Sequence, residues 1–318
     1  MSTPILSAPV DSYLPLRRGR SLVGLIRGNV AGTVGSVVLL LIVAAAAAAP
    51  LLAPTDLYEP VGEPFGAPSA SHPLGLDDAG QDMRTLLLYS TRVTLLVGFG
   101  ATLLAATIGL LIGVAAGYAG GRTDGLLMRF TDFFLVIPEV ALMMIIAAVW
   151  GSGVGKLTVV IGAILWTWTA RVIRAQAKSV RERVYVKRTR ALGAGHWHTV
   201  SKHVFPQLAP LLVVTSVLAF AVAVFDETAL SFLGLGDPNK PSLGRMIALA
   251  SSAGSVSNGA WWAIFYPGMV VTLIILSLTM IGTALEDALN PRLRVSHLSR
   301  LHFRVLPRPS RALRDEMQ

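Results

Sequence analysis

The chain has 318 residues, of which 53% are hydrophobic and only 14% are charged, and its mean hydropathy is +0.62. A soluble globular domain spends about a quarter of its residues on charged side chains. The charges here stand in blocks between apolar runs of about 20 residues, the length that crosses a bilayer as a helix. The sequence therefore predicts an all-α integral membrane protein. Because it has no cysteine, disulfides and thiolate metal sites are excluded.

Six apolar segments predict about six transmembrane helices. In chain order they are Val30–Ala53, Val93–Gly117, Asp132–Trp150, Leu157–Ala170, Leu208–Phe225 and Trp262–Ala284. The first is longer than the roughly 7–15 apolar residues of a signal peptide, so we interpret it as a retained helix. The chain then divides into a cytoplasmic N-terminal segment, a first helix, an outer loop, a core of five further helices and a cytoplasmic basic tail, at residues 1–29, 30–53, 54–92, 93–284 and 285–318.

The distribution of Lys and Arg predicts the orientation of these helices, because cytoplasmic loops carry an excess of both residues. If the N-terminus is cytoplasmic, all but five of the 27 Lys and Arg residues fall on the cytoplasmic side, the exceptions being Arg84, Arg92, Lys156, Lys240 and Arg245. We therefore expect both termini to be cytoplasmic. Membrane topology then accounts for the net charge of +9, and no nucleic acid is expected as a partner.

No catalytic residue and no metal site are predicted. Gly151–Thr158 is similar to a phosphate-binding loop, but Trp150 stands where that motif needs its first glycine and Leu157 where it needs Ser or Thr. The three histidines of residues 196–203 have no acidic residue nearby, and no H-E-x-x-H motif occurs. We therefore expect neither ATP hydrolysis nor a cofactor in this chain.

The most polar interior stretch lies between the fourth and fifth apolar segments, in an expected cytoplasmic loop at residues 171–206. Gly193 follows an Ala-Leu pair and indicates a short helix that ends at a glycine. Trp197, with apolar residues three and seven positions later, predicts a second short helix, which Pro206 is expected to end. Two short helices joined at a glycine would form a rigid knob, which loses less entropy on docking than a flexible loop.

The same loop carries a known residue pattern, R-x-x-R … Y-V-E-A-A-R-A-L-G … H-(I/V)-x-P. It is matched at Arg171, Arg174, Tyr185, Val186, Arg190, Ala191, Leu192, Gly193, His203, Val204 and Pro206. Five further motifs occur in the expected order, at residues 72–82, 87–98, 127–138, 229–236 and 288–294. In these residues the chain resembles the C-type permease subunits of dipeptide and oligopeptide ABC importers, in which this pattern is called the EAA loop.

The resemblance implies a type I ABC-importer permease fold and a multi-pass position in the bacterial cytoplasmic membrane, among its lipids. It implies three kinds of protein partner: a second homologous permease subunit, ABC ATPase subunits that bind ATP and Mg, and an extracytoplasmic solute-binding protein. This chain would form half of the translocation pathway. The residues expected to couple it to the ATPase are Tyr185, Lys187, Arg190, Ala191, Leu192, Gly193, Trp197, His203 and Pro206.

The loop departs from the family pattern at its name-giving position. Lys187, Arg188 and Thr189 stand where the family has Glu-Ala-Ala. Two interpretations follow. Either the partner's groove is unusually acidic, or Gly193 and the helix after it carry the contact, so that this position tolerates change.

Three residues are candidates for the translocation pathway or its gate: Glu139, Ser231 and Phe232. Glu139 follows Pro138 inside an apolar segment, where a carboxylate costs free energy unless it faces protein or water. It either lines a cavity and contacts substrate amines, or lies at a helix end, where it pairs with Arg129 or reaches interfacial water.

Peptides are the cargo that the resemblance favours, and haem and nickel are the alternatives within the same subfamily. The alternative from another class is a secondary transporter driven by an ion gradient. That alternative predicts transport without ATP, and it also predicts inverted repeats with broken helices.

Overall fold

The computed structural model describes residues 29–53 and 56–289 of the chain, which fold into helices joined by loops. Within these ranges the only β pairing is one isolated bridge between Leu76 and Asp82. The expected basic tail beyond residue 289, and all of the N-terminal segment except Asn29, lie outside the described residues.

Ten helices are defined in the described part of the chain. They are α1 Val30–Ala47, α2 Ala49–Leu52, α3 Met83–Ala119, α4 Gly121–Val136, α5 Glu139–Trp150, α6 Val154–Arg181, α7 Val184–Ala191, α8 His196–Phe232, α9 Leu243–Ser252 and α10 Trp262–Leu289. By length and composition, five of these helices (α1, α3, α6, α8 and α10) can cross a membrane, and α4 with α5 makes a sixth if the bent pair is one span. The all-α fold class with about six spans is confirmed.

Helix α3 begins ten residues before the predicted span, so the expectation of a loop as far as residue 92 is wrong. Asp82 caps the helix, because its Oδ2 accepts hydrogen bonds from the backbone N–H of Thr85 at 3.0 Å and from the Thr85 hydroxyl at 2.9 Å. The remaining loop, residues 56–82, is held to the helices by Trp262, whose indole Nε1 donates to the Leu76 carbonyl at 3.2 Å.

The predicted third span is broken. Helices α4 and α5 meet at an angle of 84° around Ile137 and Pro138. Proline has no N–H to donate and disfavours a helical conformation in the residue before it, and Ile137 accordingly has an extended ψ of 130°. The second half of the span therefore starts anew at Glu139.

Helix α6 packs in parallel against α3 along a stripe of glycines. A Cβ atom on Gly109, Gly113 or Gly117 would lie 2.6–2.7 Å from atoms of Thr169, Ala170 and Arg174, respectively. Only glycine lets the two backbones approach this closely, which is how small residues at a four-residue spacing join membrane helices.

This packing extends α6 to Arg181, eleven residues beyond the predicted end at Ala170. The assignment of residues 171–181 to a loop is therefore wrong. The prediction failed because hydropathy falls at Arg171 and Arg174, which suggested the end of the span. The carboxylates that pair with these arginines lie on α4 and are distant in sequence.

Helix α8 also continues where an end was predicted. Pro206 does not stop it, because a π-helical turn at Val200–Val204 precedes the proline. In that turn the N–H of Phe205 donates to the carbonyl of Val200, five residues back. Proline in the first turn of the regular helix that follows costs little, since its missing N–H would have had no regular partner there.

The two ends of the molecule are defined by α3. Its 37 residues extend over about 54 Å at 1.5 Å per residue, whereas the hydrocarbon core of a bilayer is about 30 Å thick. The 56–82 loop precedes its first residue, and Tyr118 in its last turn contacts His196 at the start of α8. The 56–82 loop and the segment around α7 therefore lie at opposite ends.

Candidate functional site

The loop predicted to act as a rigid knob consists of α7, a short turn and the first residues of α8; we call residues 184–206 the knob. Helix α7 ends at Ala191, and the turn that closes it has Gly193 with φ of +87°. The N–H of Gly193 donates to Arg190 O at 3.0 Å, and the N–H of Ala194 donates to Thr189 O at 3.2 Å. These two bonds form a Schellman motif, which needs a left-handed residue at the position of Gly193. The expected glycine bend is confirmed.

The knob is anchored to the helix bundle by apolar side chains. Val186 and Val204 are completely buried, and they pack in one cluster with Ile173, Ala177 and Leu208 of α6 and α8. A fully buried valine contributes roughly 1.5–3 kcal/mol to stability relative to an exposed one. These contacts fix the knob to the ends of α6 and α8.

Aromatic and basic side chains connect the knob internally and to α3. The rings of Tyr185 and His203 lie 6.2 Å apart, which brings two of the predicted coupling residues together. The Arg190 guanidinium lies 5.8 Å from the centre of the Tyr118 ring, a cation–π geometry. The Tyr118 hydroxyl also lies 3.2 Å from His196 Nδ1.

The outer surface of the knob exposes large apolar side chains. Leu192 is 89% exposed, Trp197 83% and Val184 67%. Residues 196–204 are helical, as predicted, and of the spaced apolar residues Trp197 is exposed whereas Val204 is buried. Ala191, Lys187 and Pro206 are exposed as well. Exposed Trp and Leu side chains on a segment whose basic residues are also exposed have the composition of a protein-binding surface, in which aromatic anchors dominate the affinity.

Lys187, which replaces the family's glutamate, has a carboxylate partner within the chain. Its Nζ lies 2.8 Å from Glu182 Oε2. The hydrogen bond from Lys187 holds the pKa of Glu182 below its ordinary value, and the charges of Lys187 and of Arg181 and Arg190 act in the same direction. The charge of Lys187 is thus balanced locally, at a site exposed to solvent.

Arg171 and Arg174 act as a clamp between α6 and α4. Arg174 donates through Nε and Nη2 to both carboxylate oxygens of Asp124, the Nη2 bond being 2.8 Å long. Arg171 Nη2 lies 2.5 Å from Asp132 Oδ1. Through these pairs the first half of the broken span is fixed to the helix that leads into the knob.

The candidate pathway residues lie apart from the knob. Glu139 occupies the first turn of α5 and is exposed. No ion pair joins it to Arg129 among the described residues. Ser231 is buried and donates to Glu227 Oε1 at 2.8 Å, whereas Phe232 is 44% exposed. Of the three candidates, only Ser231 is buried.

Sequence reasoning missed several residues that shape the knob. Tyr118, Glu182 and Asp124 contact its arginines, its lysine or the arginines that precede it, yet the motif specifies none of them. The sequence does indicate that Tyr118 lies near a helix end, because Ala-Gly-Gly follows it directly. Asp124 has none, since its partner is 50 residues away.

The described residues include no group of three or more His, Cys, Asp or Glu side chains that could hold a metal ion. The stretch similar to a phosphate-binding loop spans the turn into α6 and its first residues. Lys156 Nζ there donates to the Trp150 carbonyl at 3.0 Å, which closes that turn.

Comparison with known proteins identifies the family. Residues 109–295 match the family model described as "Binding-protein-dependent transport system inner membrane component". The chain is 30% identical over 292 residues to the dipeptide transport system permease protein DppC of Bacillus subtilis, covering 92% of this chain and 88% of that protein.

Two further relatives agree with this match. The dipeptide transport system permease protein DppC of Alkalihalophilus pseudofirmus is 30% identical over 288 residues, which cover 90% of this chain and 94% of that protein. A putative peptide permease protein of Brucella ovis is 36% identical over 227 residues, which cover 71% of this chain and 75% of that protein. The chain therefore belongs to the family of binding-protein-dependent transport system inner membrane components, and it is a multi-pass protein of the bacterial inner membrane.

Proposed function

We propose that this chain is one membrane subunit of an ATP-driven importer of dipeptides and oligopeptides, and that its knob couples it to separate ATPase subunits. The observation that carries the proposal is the knob itself. It is closed by a Schellman motif, anchored by buried valines, and exposes Leu192 and Trp197 among basic side chains. A segment that must transmit force between proteins needs a stiff backbone and an apolar contact surface.

The proposal assigns a chemical role to other subunits as well. ATP and Mg bind to the ATPase partners, this chain is not catalytic, and a second permease subunit completes the pathway. A solute-binding protein delivers cargo at the end that carries the 56–82 loop. The domain divisions and the cytoplasmic location of both termini, which follow from the Lys and Arg distribution, are part of this proposal.

Peptide cargo is supported by the relatives, which are named for dipeptide or peptide transport. These names do not favour haem or nickel. A secondary transporter driven by an ion gradient is supported only by the broken helix α4–α5, and the family's dependence on a binding protein opposes it.

Coupling through the knob is tested by substitution of its exposed apolar residues. We expect Trp197→Ala and Leu192→Asp to weaken binding of the knob to the ATPase and so to lower ATPase stimulation and peptide uptake together. If the residue contributes about 2 kcal/mol to that binding, the expected loss is about 30-fold. Both are measured in proteoliposomes that contain the permease pair, the ATPases and the binding protein. The control is Leu51→Ala, because Leu51 is 86% exposed and lies outside the knob.

Two results would contradict the proposal. One is full stimulation and uptake in both knob variants. The other is uptake by the membrane subunits alone, without ATPase and ATP, which would favour the secondary-transporter alternative.

A further inference from the structure

A cavity of about 220 Å³ lies between the 56–82 loop and α9, at the end of the molecule opposite to the knob. Its base is formed by apolar side chains of α3 and α9, namely Met83, Leu86, Met246, Leu249 and Ala250. Pockets for drug-sized ligands measure roughly 300–1,000 Å³, so this cavity suits a smaller molecule. The coupling proposed above makes no use of it.

The lining of the cavity carries a positive charge, Arg245. The Arg245 guanidinium is held in place through Nη1, which donates to the backbone carbonyls of Asp237, at 3.3 Å, and Pro238. No carboxylate forms an ion pair with Arg245 in the part of the chain that the structure describes. Tyr58 lies beside it: burial raises the pKa of Tyr58, and the charge of Arg245 opposes that rise.

The lining also carries negative charge. Asp77 and Asp78 both line the cavity, and neither pairs with a cation among the described residues. Asp77 Oδ1 is fixed by backbone N–H groups of Gln81 at 2.7 Å and Ala79 at 3.0 Å. Burial raises the pKa of Asp77 and the Asp78 carboxylate adds to the rise, while the hydrogen bond from Gln81 opposes it. An ammonium group placed here would relieve that repulsion.

We propose that this cavity binds a small zwitterion, either a free amino acid or a dipeptide. Its carboxylate pairs with Arg245, and its ammonium group lies against Asp77 and Asp78. A small apolar side chain of the ligand packs on Met83 and its neighbours. A longer peptide exceeds the volume, and a ligand with only one charge leaves the other charged group of the lining without a partner.

The site is argued from its own lining and does not depend on coupling to an ATPase. We therefore test it on the full chain in lipid nanodiscs, without ATPase or binding protein, by calorimetric titration with L-alanyl-L-alanine. The ligand's N-acetyl form lacks the ammonium charge and its C-terminal amide lacks the carboxylate. Because hydrogen bonds to charged groups are the strong ones, we expect each blocked form to bind about 10- to 100-fold more weakly.

Paired variants connect each ligand charge to its protein partner. In Arg245→Gln the free dipeptide and its amide should bind equally weakly, while the N-acetyl form should bind more weakly than either. In Asp77→Asn and Asp78→Asn the free dipeptide and its N-acetyl form should bind equally weakly, while the amide should bind more weakly than either. Each asparagine keeps an oxygen that can accept backbone hydrogen bonds. Arg84→Gln is the control, since Arg84 is exposed on α3 outside the cavity. Absence of binding to the folded wild-type chain, or binding unaffected by blocked ends and by these variants, overturns the proposal.

Discussion

Gly193 is the single residue whose backbone conformation shapes the knob. Its φ of +87° strains any side chain that carries a Cβ, although no heavy atom would lie within 4 Å of that Cβ. Substitution therefore tests conformation without a steric clash. We expect Gly193→Thr to cost about 1–2 kcal/mol of local backbone strain, and to lower ATPase stimulation and peptide uptake together in proteoliposomes.

The chain offers a matched control for this substitution. A Cβ atom on Gly195 would also have open space around it, but the φ of Gly195 is −63° and it caps α8, a position where threonine is acceptable. Gly195→Thr should leave coupling unchanged. Equal loss in both variants, or none in Gly193→Thr, would contradict the role given to the bend.

The residues of the knob illustrate what the motif could and could not predict. The glycine end of α7 was predictable, because the chemistry of that turn depends on one residue type. The exposure of Trp197 and the pairing of Lys187 with Glu182 were not. Helical spacing groups residues on a face without stating which face is buried, and that choice depends on the cluster contributed by α6 and α8.

Between helices, the clamp of α6 on α4 determines how the broken span is held. The Arg174 and Asp124 side chains are 31% and 13% exposed, so removal of one partner leaves a largely buried charge unpaired. We expect Arg174→Gln to lower the free energy of unfolding by about 2–3 kcal/mol. Thermal unfolding in detergent is measured for both single variants and for the double variant with Asp124→Asn. This double-mutant cycle gives the coupling energy between Arg174 and Asp124.

A second pair on the same two helices provides the comparison. Arg171 and Asp132 are 46% and 55% exposed, and exposed pairs contribute only about 0–1 kcal/mol. The cycle of Arg171→Gln with Asp132→Asn should therefore show a smaller coupling energy. If the exposed pair couples as strongly as the buried one, burial is not what strengthens the clamp.

The same pairs explain why helix ends were harder to predict than helices. Each of the six apolar segments corresponds to a spanning helix or, in one case, to parts of a bent pair. The predicted end of α6 was eleven residues early, since the carboxylates that stabilise its basic half lie 39 and 50 residues away in sequence. The early start of α3 did have a local signal, the Asp82 cap, which a search for apolar runs does not detect.

At the scale of the whole molecule, the two proposed sites lie at opposite ends of a helix about 54 Å long. The cavity beside the 56–82 loop is built on the first turn of α3, and the knob contacts Tyr118 in its last turn. If α3 crosses the membrane, one site is outside and the other is inside. The Lys and Arg distribution predicts that the knob is the cytoplasmic one.

This orientation can be measured directly, because the sequence contains no cysteine and each introduced thiol is therefore the only one. Ser71→Cys places a thiol on the 56–82 loop, and Ala191→Cys places one on the knob; both positions are exposed. In intact spheroplasts we expect a membrane-impermeant maleimide to label the first variant alone. After permeabilisation both should be labelled, which verifies that the second thiol is reactive. Labelling of Ala191→Cys in intact cells, with Ser71→Cys protected, would place the knob outside and remove any possibility of contact with a cytoplasmic ATPase.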